Sequence, residues 1–231
     1  MGSIKLFATP ALIVLMSALL GACMPIQAPQ STTGDVMFTW DSTPVGSSTL
    51  NRAAAGVSAT YETEGMTPGN AVTGWYIVFN HPELCEPQPF DCDPTDMFHP
   101  DYPGAQGPAE GDFLLLSGHV IGEDGQGSFK GTLAAGDAST SGLAEVICPE
   151  SLDCTKGLTN PQGALIVLAA HDHGPAQSGA ELEAQLNSFL GGCVGPFNGD
   201  DFGFAMSADD LPDNNGECST IQVSPHMPDN G

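Results

Sequence analysis

The chain has 231 residues, with 28 acidic side chains against four basic ones and a net charge of −24 at pH 7. Nucleic acids and anionic lipid head groups are bound through basic patches, which four scattered cations cannot build. The composition therefore excludes a nucleic-acid-binding protein and a protein that adheres to anionic membranes by charge.

The first segment of the chain has the layout of a secretory signal. Lys5 is followed by an apolar stretch at residues 6–20 and then by the small residues Gly21 and Ala22. The stretch is shorter than the roughly 20 apolar residues of a transmembrane helix, and Pro10 would interrupt such a helix. We therefore predict a cleaved signal at residues 1–22.

Residues 20–23, LGAC, resemble the lipobox of bacterial lipoproteins. The resemblance implies that the Cys23 thiol carries a diacylglycerol and that the new amino terminus is acylated, for example with palmitate. Two or three acyl chains give stable anchoring. Because Met24 rather than an aspartate follows, the sorting pattern of Gram-negative hosts implies the outer membrane, with the domain in the periplasm or at the cell surface. The alternative is an ordinary secreted protein whose cysteine lies near the cleavage point.

Six cysteines remain after Cys23, an even number for a chain that enters an oxidising compartment. Pairing neighbours is the simplest arrangement, because each pair then closes a short loop rich in Pro and Asp or brackets one segment. A structural zinc site is the alternative, but it is weakly supported because the sequence contains no C-x-x-C pair. We predict the disulfides Cys85–Cys92, Cys148–Cys154 and Cys193–Cys218.

Short apolar runs separated by Gly, Pro, Asp and Asn dominate the rest of the chain. This spacing is typical of an all-β sandwich or barrel in one domain. The preceding residues lack apolar periodicity, so we predict a lipidated cysteine and tether at 23–34 and a folded domain at 35–231. The nine predicted strands are VMFTW, AGVSATYE, AVTGWYIVF, DFLLLSGHVIG, GSFKGTL, GLAEVI, GALIVLAA, FGFAM and TIQV.

One segment departs from the strand pattern and predicts a short amphipathic helix at 178–190. Ser178 and Glu181 have the spacing of a capping box, and Gly191 follows as a stop signal. We expect the apolar face of this helix to pack on the strands. Its apolar residues are Leu182, Leu186, Phe189 and Leu190.

Three sequence blocks, at residues 65–85, 118–137 and 157–179, resemble a group of secreted bacterial β-sandwich lipoproteins. The group is similar to chordin-type (CHRD) domains, which share a G-L-x-P-G turn leading into an apolar strand. A fainter similarity runs to the Cu/Zn superoxide dismutase sandwich. The resemblance implies a single Ig-like or superoxide-dismutase-like β-sandwich and supplies no activity.

Histidines offer the clearest candidate for metal chemistry. His171 and His173 lie two residues apart at the end of an apolar run, so they project from one face if the strand continues. With His119 from a neighbouring strand they could bind Cu or Zn. The alternative is that both histidines serve the structure through backbone hydrogen bonds. Dismutase copper binding is not supported, because the strand at residues 71–79 has no histidine at the family's H-x-H position.

Acidic loops at residues 91–101, 198–201 and 209–217 offer oxygen ligands of the kind that hold Ca²⁺. The first loop does not fit an EF-hand, because Asp96 replaces the required Gly and Tyr102 the required Glu. Solvated acidic surface is the alternative for all three loops.

Signatures of common hydrolases and nucleotide-binding enzymes are missing from the sequence. We therefore expect a lipid-anchored envelope protein with a non-enzymatic binding or structural role, its partner being an envelope protein or an exopolymer. The alternative is a copper- or zinc-binding envelope protein that uses His171 and His173. An enzyme of unfamiliar type stays open as a third class.

Overall fold

A computed structural model describes residues 29–97, 106–146, 155–193 and 219–228. The described chain consists mainly of antiparallel strands, so the all-β prediction is confirmed. Eight strands, two short α-helices and two 3-10 turns lie in these ranges. They are β1 (Gln30–Phe38), β2 (Pro44–Ala53), β3 (Gly56–Thr63), β4 (Asn70–Phe79), β5 (Gly111–Val120), β6 (Gly127–Ala134), α1 (Leu143–Val146), β7 (Leu165–Pro175), α2 (Ala180–Asn187) and β8 (Ser219–His226), with 3-10 turns at Pro82–Leu84 and Pro94–Met97.

All eight strands belong to one continuous sheet in the order β5-β4-β7-β8-β1-β2-β3-β6. The two edge strands, β5 and β6, meet across a seam through side chains. The Lys130 N–H of β6 donates to Ser117 Oγ of β5 over 3.3 Å, and the hydroxyl of Tyr76 on the neighbouring β4 donates to the Gly131 carbonyl of β6 over 2.8 Å. The sheet is therefore rolled nearly into a barrel, with its seam between β5 and β6.

Two apolar cores lie on opposite faces of β4 and β7. Side chains such as Tyr76 and Phe129 fill the barrel interior, whereas Trp75, Phe113 and Phe189 pack on the outer face. Because side chains alternate between the faces of a strand, β4 and β7 must be apolar at almost every position to serve both cores. This explains their continuous apolar runs and places a covered layer outside the barrel.

Strand β2 is absent from the predicted runs because its core-facing positions are partly polar. Ser48, Leu50 and Arg52 are the buried residues of this strand, so the expected alternation of apolar residues is missing. The predicted strand GLAEVI is wrong. Leu143–Val146 of this run form the single helical turn α1, which follows one isolated bridge between Leu114 and Ser141.

The predicted tether is too long at its carboxyl end. Residues 30–34 belong to β1 and pair with β2, with Gln30 opposite Arg52 and Gly34 opposite Ser48. Thr32 also hydrogen-bonds His226 over 2.8 Å. Polar Ser and Thr residues therefore form the start of the strand without apolar periodicity, because pairing with β2 stabilises it.

Helix α2 falls inside the predicted range of 178–190, but the predicted capping box does not form. Its N-cap is Gly179, with φ of 61° and no side-chain cap hydrogen bond. Phe189 lies beyond the helix end, where its N–H donates to the Glu145 carboxylate over 3.0 Å. In the described residues no helix is long and apolar enough to cross a membrane.

Candidate functional site

His171 and His173 stand on the outer face of β7, which continues through both residues to Pro175. Their rings lie 5.0 Å apart, centroid to centroid, and the two side chains are 4 % and 2 % exposed. The segment that follows α2 covers them, and Phe189 stacks on the His171 ring at 4.3 Å. The prediction that the two histidines share one strand face is confirmed.

Both nitrogens of His173 have hydrogen-bond partners. Nδ1–H donates to the Gly191 carbonyl over 2.8 Å, so the Thr73 hydroxyl, 2.7 Å from Nε2, donates to that nitrogen. The Trp75 indole N–H in turn donates to Thr73 Oγ1 over 2.7 Å. Burial lowers the pKa of His173 to about 4, which keeps the ring neutral. In this arrangement His173 ties the segment after α2 to the sheet.

His171 is less completely satisfied. Its Nδ1 lies 3.3 Å from Thr220 Oγ1, whereas its buried Nε2 has no hydrogen-bond partner among the described residues. Burial holds the pKa of His171 well below its usual range, and the neighbouring His173 adds to the effect. A buried nitrogen without a partner costs free energy, and a metal ion or a hydrogen-bonding group could satisfy it.

Cys193 completes a cluster that sequence reasoning missed. Its Sγ lies 3.8 Å from His173 Nδ1, and one potential ligand atom from each of His171, His173 and Cys193 lies within 4.8 Å of the others. Cys193 is disulfide-bonded in this structure, so its sulfur is not a thiolate. The sequence contains no local signal for this contact, because 20 residues and a helix separate Cys193 from His173.

His119 does not join this cluster, which corrects the predicted set of three histidines. A β-bulge shifts the register between β4 and β5 at Gly74 and Trp75, so that His119 stands opposite Val72. A shift of one residue moves a side chain to the other face of the sheet. His119 therefore points to the barrel interior, where its ring stacks on Phe129 at 4.5 Å and burial lowers its pKa.

Asp172, between the two histidines, also serves the structure. Both of its carboxylate oxygens accept hydrogen bonds from the Asn70 amide, over 3.0 and 2.9 Å, and one accepts from the Gly174 N–H over 2.8 Å. Burial raises the pKa of this carboxyl group. These contacts hold the end of β7 against β4. The imidazoles, rather than this carboxylate, are therefore the potential metal ligands on this strand.

An open groove of about 730 Å³ lies at one end of the seam, between the end of β5 and the start of β6. Strands β2 and β3 form its other wall. The polar lining includes Glu62, Glu64 and the half-buried His119, and the apolar lining includes Val45 and Val120. A Lys130 ammonium 3.1 Å from Glu62 partly balances the charge. The groove therefore joins acidic and apolar side chains on an accessible concave surface.

The predicted cysteine pairs are described only in part. Cys85 and Cys92 form the first predicted disulfide, with a Cα–Cα distance of 5.1 Å. Cys148, Cys154 and Cys218 lie outside the described residues, as does the predicted lipidation site Cys23.

Only the start of one predicted calcium loop is described. At the beginning of the loop at 91–101, the Asp96 carboxylate accepts hydrogen bonds from the N–H groups of Glu86 and Asp93 over 3.0 and 2.9 Å. The loops at 198–201 and 209–217 lie outside the described residues.

Comparison with known proteins finds little similarity. No family model matches the chain, and no curated protein matches it. Among solved structures, the chain is similar to the crystal structure of a mutant of a SOD-like protein from Bacillus subtilis. The identity is 11%, the match covers 84% of this chain and 96% of that chain, and the TM-score is 0.30.

Proposed function

We propose that this protein is a lipid-anchored component of the bacterial outer membrane that acts by binding or structural support rather than catalysis. Support comes from the lipobox-like residues 20–23 and from the use made of buried polar groups. Asp112, His173 and His226 are enclosed and hydrogen-bonded to segments that they hold in place. This structural use of Asp112, His173 and His226 is the observation that carries the proposal.

The binding surface of the proposal is the acidic groove at the seam. Glu62 and Glu64 give it negative charge, while Val45 and Val120 give it apolar surface. Downstream of residue 22 the chain keeps all 28 acidic residues and three basic ones, a net charge of −25. Such a field attracts cationic partners and repels anionic ones. The expected partner is an envelope protein or an exopolymer that carries positive charge.

The anchor is tested by replacing Cys23. Cys23→Ser should abolish incorporation of a labelled fatty acid and release the protein from the membrane fraction, because the acyl chains supply the membrane affinity. Met24→Ser is the matched control and should keep both properties. Membrane association of a soluble, unaggregated Cys23→Ser protein would contradict the anchor.

The groove is tested by site-specific photo-crosslinking in intact cells. A photoreactive residue at Val120, which is 39% exposed on the groove, should form a defined adduct that weakens as salt is raised. The control position is Leu84, 49% exposed and outside the groove. Equal adducts from both positions, or none from Val120, would argue against the groove as the binding surface.

A further inference from the structure

We propose that His171, His173 and Cys193 form a buried binding site for Zn²⁺ or Cu⁺ that becomes available when the disulfide of Cys193 is reduced. The potential ligand atoms already lie within 4.8 Å of one another. Within the described part of the chain, His171 Nε2 is buried without a hydrogen-bond partner, which is an independent sign of an unfilled interaction. This site uses Cys193 in place of His119 and does not depend on the anchor or the groove.

The spacing of the three side chains is close to that of a metal site. With Zn–N bonds of about 2.0–2.1 Å and Zn–S bonds of about 2.3 Å in tetrahedral geometry, ligand atoms lie roughly 3.3–3.6 Å apart. Cys193 Sγ and His173 Nδ1 are 3.8 Å apart in the structure. Closing the remaining separations needs side-chain shifts of roughly 1 Å, which rotation about side-chain bonds can supply.

The hydrogen bonds around His173 can support coordination through Nδ1. Metal-binding histidines usually donate their other N–H to a neighbouring acceptor, which fixes the ring. If the proton moves from Nδ1 to Nε2, Nδ1 gives up its hydrogen bond to the Gly191 carbonyl. The Nε2–H group can then donate to the Thr73 hydroxyl oxygen, 2.7 Å away, which still accepts from the Trp75 indole. The hydroxyl can therefore pair with either tautomer of His173.

The disulfide controls access to the sulfur ligand. A dithiol reductant transfers two electrons and two protons to the disulfide of Cys193, yielding two thiols while the dithiol itself becomes a disulfide. The Cys193 thiol then loses its proton as its sulfur binds the metal, because thiolate is the form that coordinates. Two imidazoles and one thiolate suit Cu⁺, and they leave Zn²⁺ one open coordination position.

The test is titration of the full-length protein with Co²⁺, used as a spectroscopic probe for Zn²⁺, under anaerobic conditions. After reduction by a phosphine, we expect a sulfur-to-cobalt charge-transfer band that saturates at one equivalent and disappears when Zn²⁺ is added. The oxidised protein should show no such band. Acidic loops would bind Co²⁺ through oxygen and cannot produce this band.

Matched variants separate the site from general effects of reduction. Cys193→Ser should lose the band, and the Cys85→Ser/Cys92→Ser protein should keep it. His171→Phe keeps a ring next to Phe189, so it should fold while binding Co²⁺ at least tenfold more weakly. A band in reduced Cys193→Ser, unchanged affinity in His171→Phe, or a reduced wild type that shows no band would each overturn the proposal. Reduced wild type that unfolds and is not restored by Zn²⁺ would overturn it as well.

Discussion

At the scale of single residues, buried polar side chains hold the loops of this protein. The Asp112 carboxylate accepts hydrogen bonds from the Ser141 hydroxyl over 2.5 Å and from the Gly157 N–H over 2.8 Å. The Asn80 amide oxygen accepts from the Thr159 N–H over 2.8 Å. Because these buried groups have no access to bulk water, breaking any of these hydrogen bonds would leave a polar group unsatisfied and lower the stability of the fold.

Asp112→Asn tests this role. The Phe113 N–H donates to one carboxylate oxygen, over 2.8 Å, while the Lys156 and Gly157 N–H groups donate to the other, so an amide nitrogen on either side would face donors. We expect a loss of about 3 kcal/mol in the free energy of unfolding, measured with urea. Asp124→Asn, at an exposed position, should cost less than about 0.5 kcal/mol. Equal losses in the two variants would contradict the role of Asp112.

The burial of His226 predicts that acid lowers the free energy of unfolding. Its ring nitrogens lie 2.8 Å from Thr32 Oγ1 and 2.8 Å from Ser48 Oγ, and burial, aided by the nearby Arg52 charge, lowers its pKa to about 4. The unfolded chain binds the proton near pH 6.5, so the stability contributed by neutral His226 is present above that pH and is lost as pH falls towards 4.

The measurement is urea unfolding of the wild type and His226→Gln at pH 7 and pH 4. A pKa lowered from 6.5 to about 4 corresponds to about 3 kcal/mol, so the wild type should lose about that much more than the variant between these pH values. His226→Gln should start from a lower stability at pH 7, because it loses hydrogen bonds. The same loss in both proteins would show that His226 does not carry this dependence.

At the scale of elements, α2 approaches β5 more closely than a side chain would allow. A Cβ atom at Gly118 would overlap the Leu186 carbonyl at the end of the helix. The neighbouring Gln185 is buried and donates from Nε2 to the carbonyls of His173 and Pro175, over 3.2 Å in each case. The helix is therefore positioned by one glycine and one buried amide rather than by a capping box.

Gly118→Ala should force α2 away from β5. We expect it to lower the free energy of unfolding by about 2–3 kcal/mol, because overpacking shifts backbone on both elements. Gly122→Ala is the control, since its Cβ would meet only the Asp124 carboxylate at 3.1 Å, the end of an exposed side chain. Thermal unfolding of both variants checks the difference, and equal midpoints would contradict the close approach.

At the scale of the whole molecule, two layers of packing and at least two disulfides stabilise a strongly acidic chain. The barrel interior and the outer layer share β4 and β7. Cys85 and Cys92 close a loop beside the outer layer, and the sulfur of disulfide-bonded Cys193 lies 3.6 Å from the carbonyl of Phe189, a residue of the same layer. The cross-links therefore stabilise the outer layer of a chain whose net charge of −24 opposes folding through self-repulsion.

Peptide mapping under non-reducing conditions tests the remaining pairs. We expect peptides that join Cys148 to Cys154 and Cys193 to Cys218, as neighbour pairing predicts. In the chain-entropy account, a loop of the size closed by Cys193 and Cys218 stabilises the fold by about 3 kcal/mol. A peptide that joins Cys148 or Cys154 to Cys193 would contradict this pairing.

Local patterns predicted most of the strands but only part of the candidate site. Seven of the nine predicted runs coincide with strands of the described chain, because apolar residues there face a core on one or both sides. Strand β2 escaped prediction because Ser48 and Arg52 occupy core-facing positions. The pairing of His171 with His173 followed from strand alternation, since the two residues are separated by two positions on one strand.

The sequence alone determined the acidic character, the all-β class, the short disulfide between Cys85 and Cys92, and the shared face of His171 and His173, because each depends on composition or on neighbouring residues. Tertiary structure alone decided that His119 faces the barrel interior and that Cys193 lies beside His173. A bulge placed His119 by shifting the register between β4 and β5. Packing of the segment after α2 placed Cys193. Both are long-range outcomes, determined by which surfaces meet rather than by any local pattern of residues.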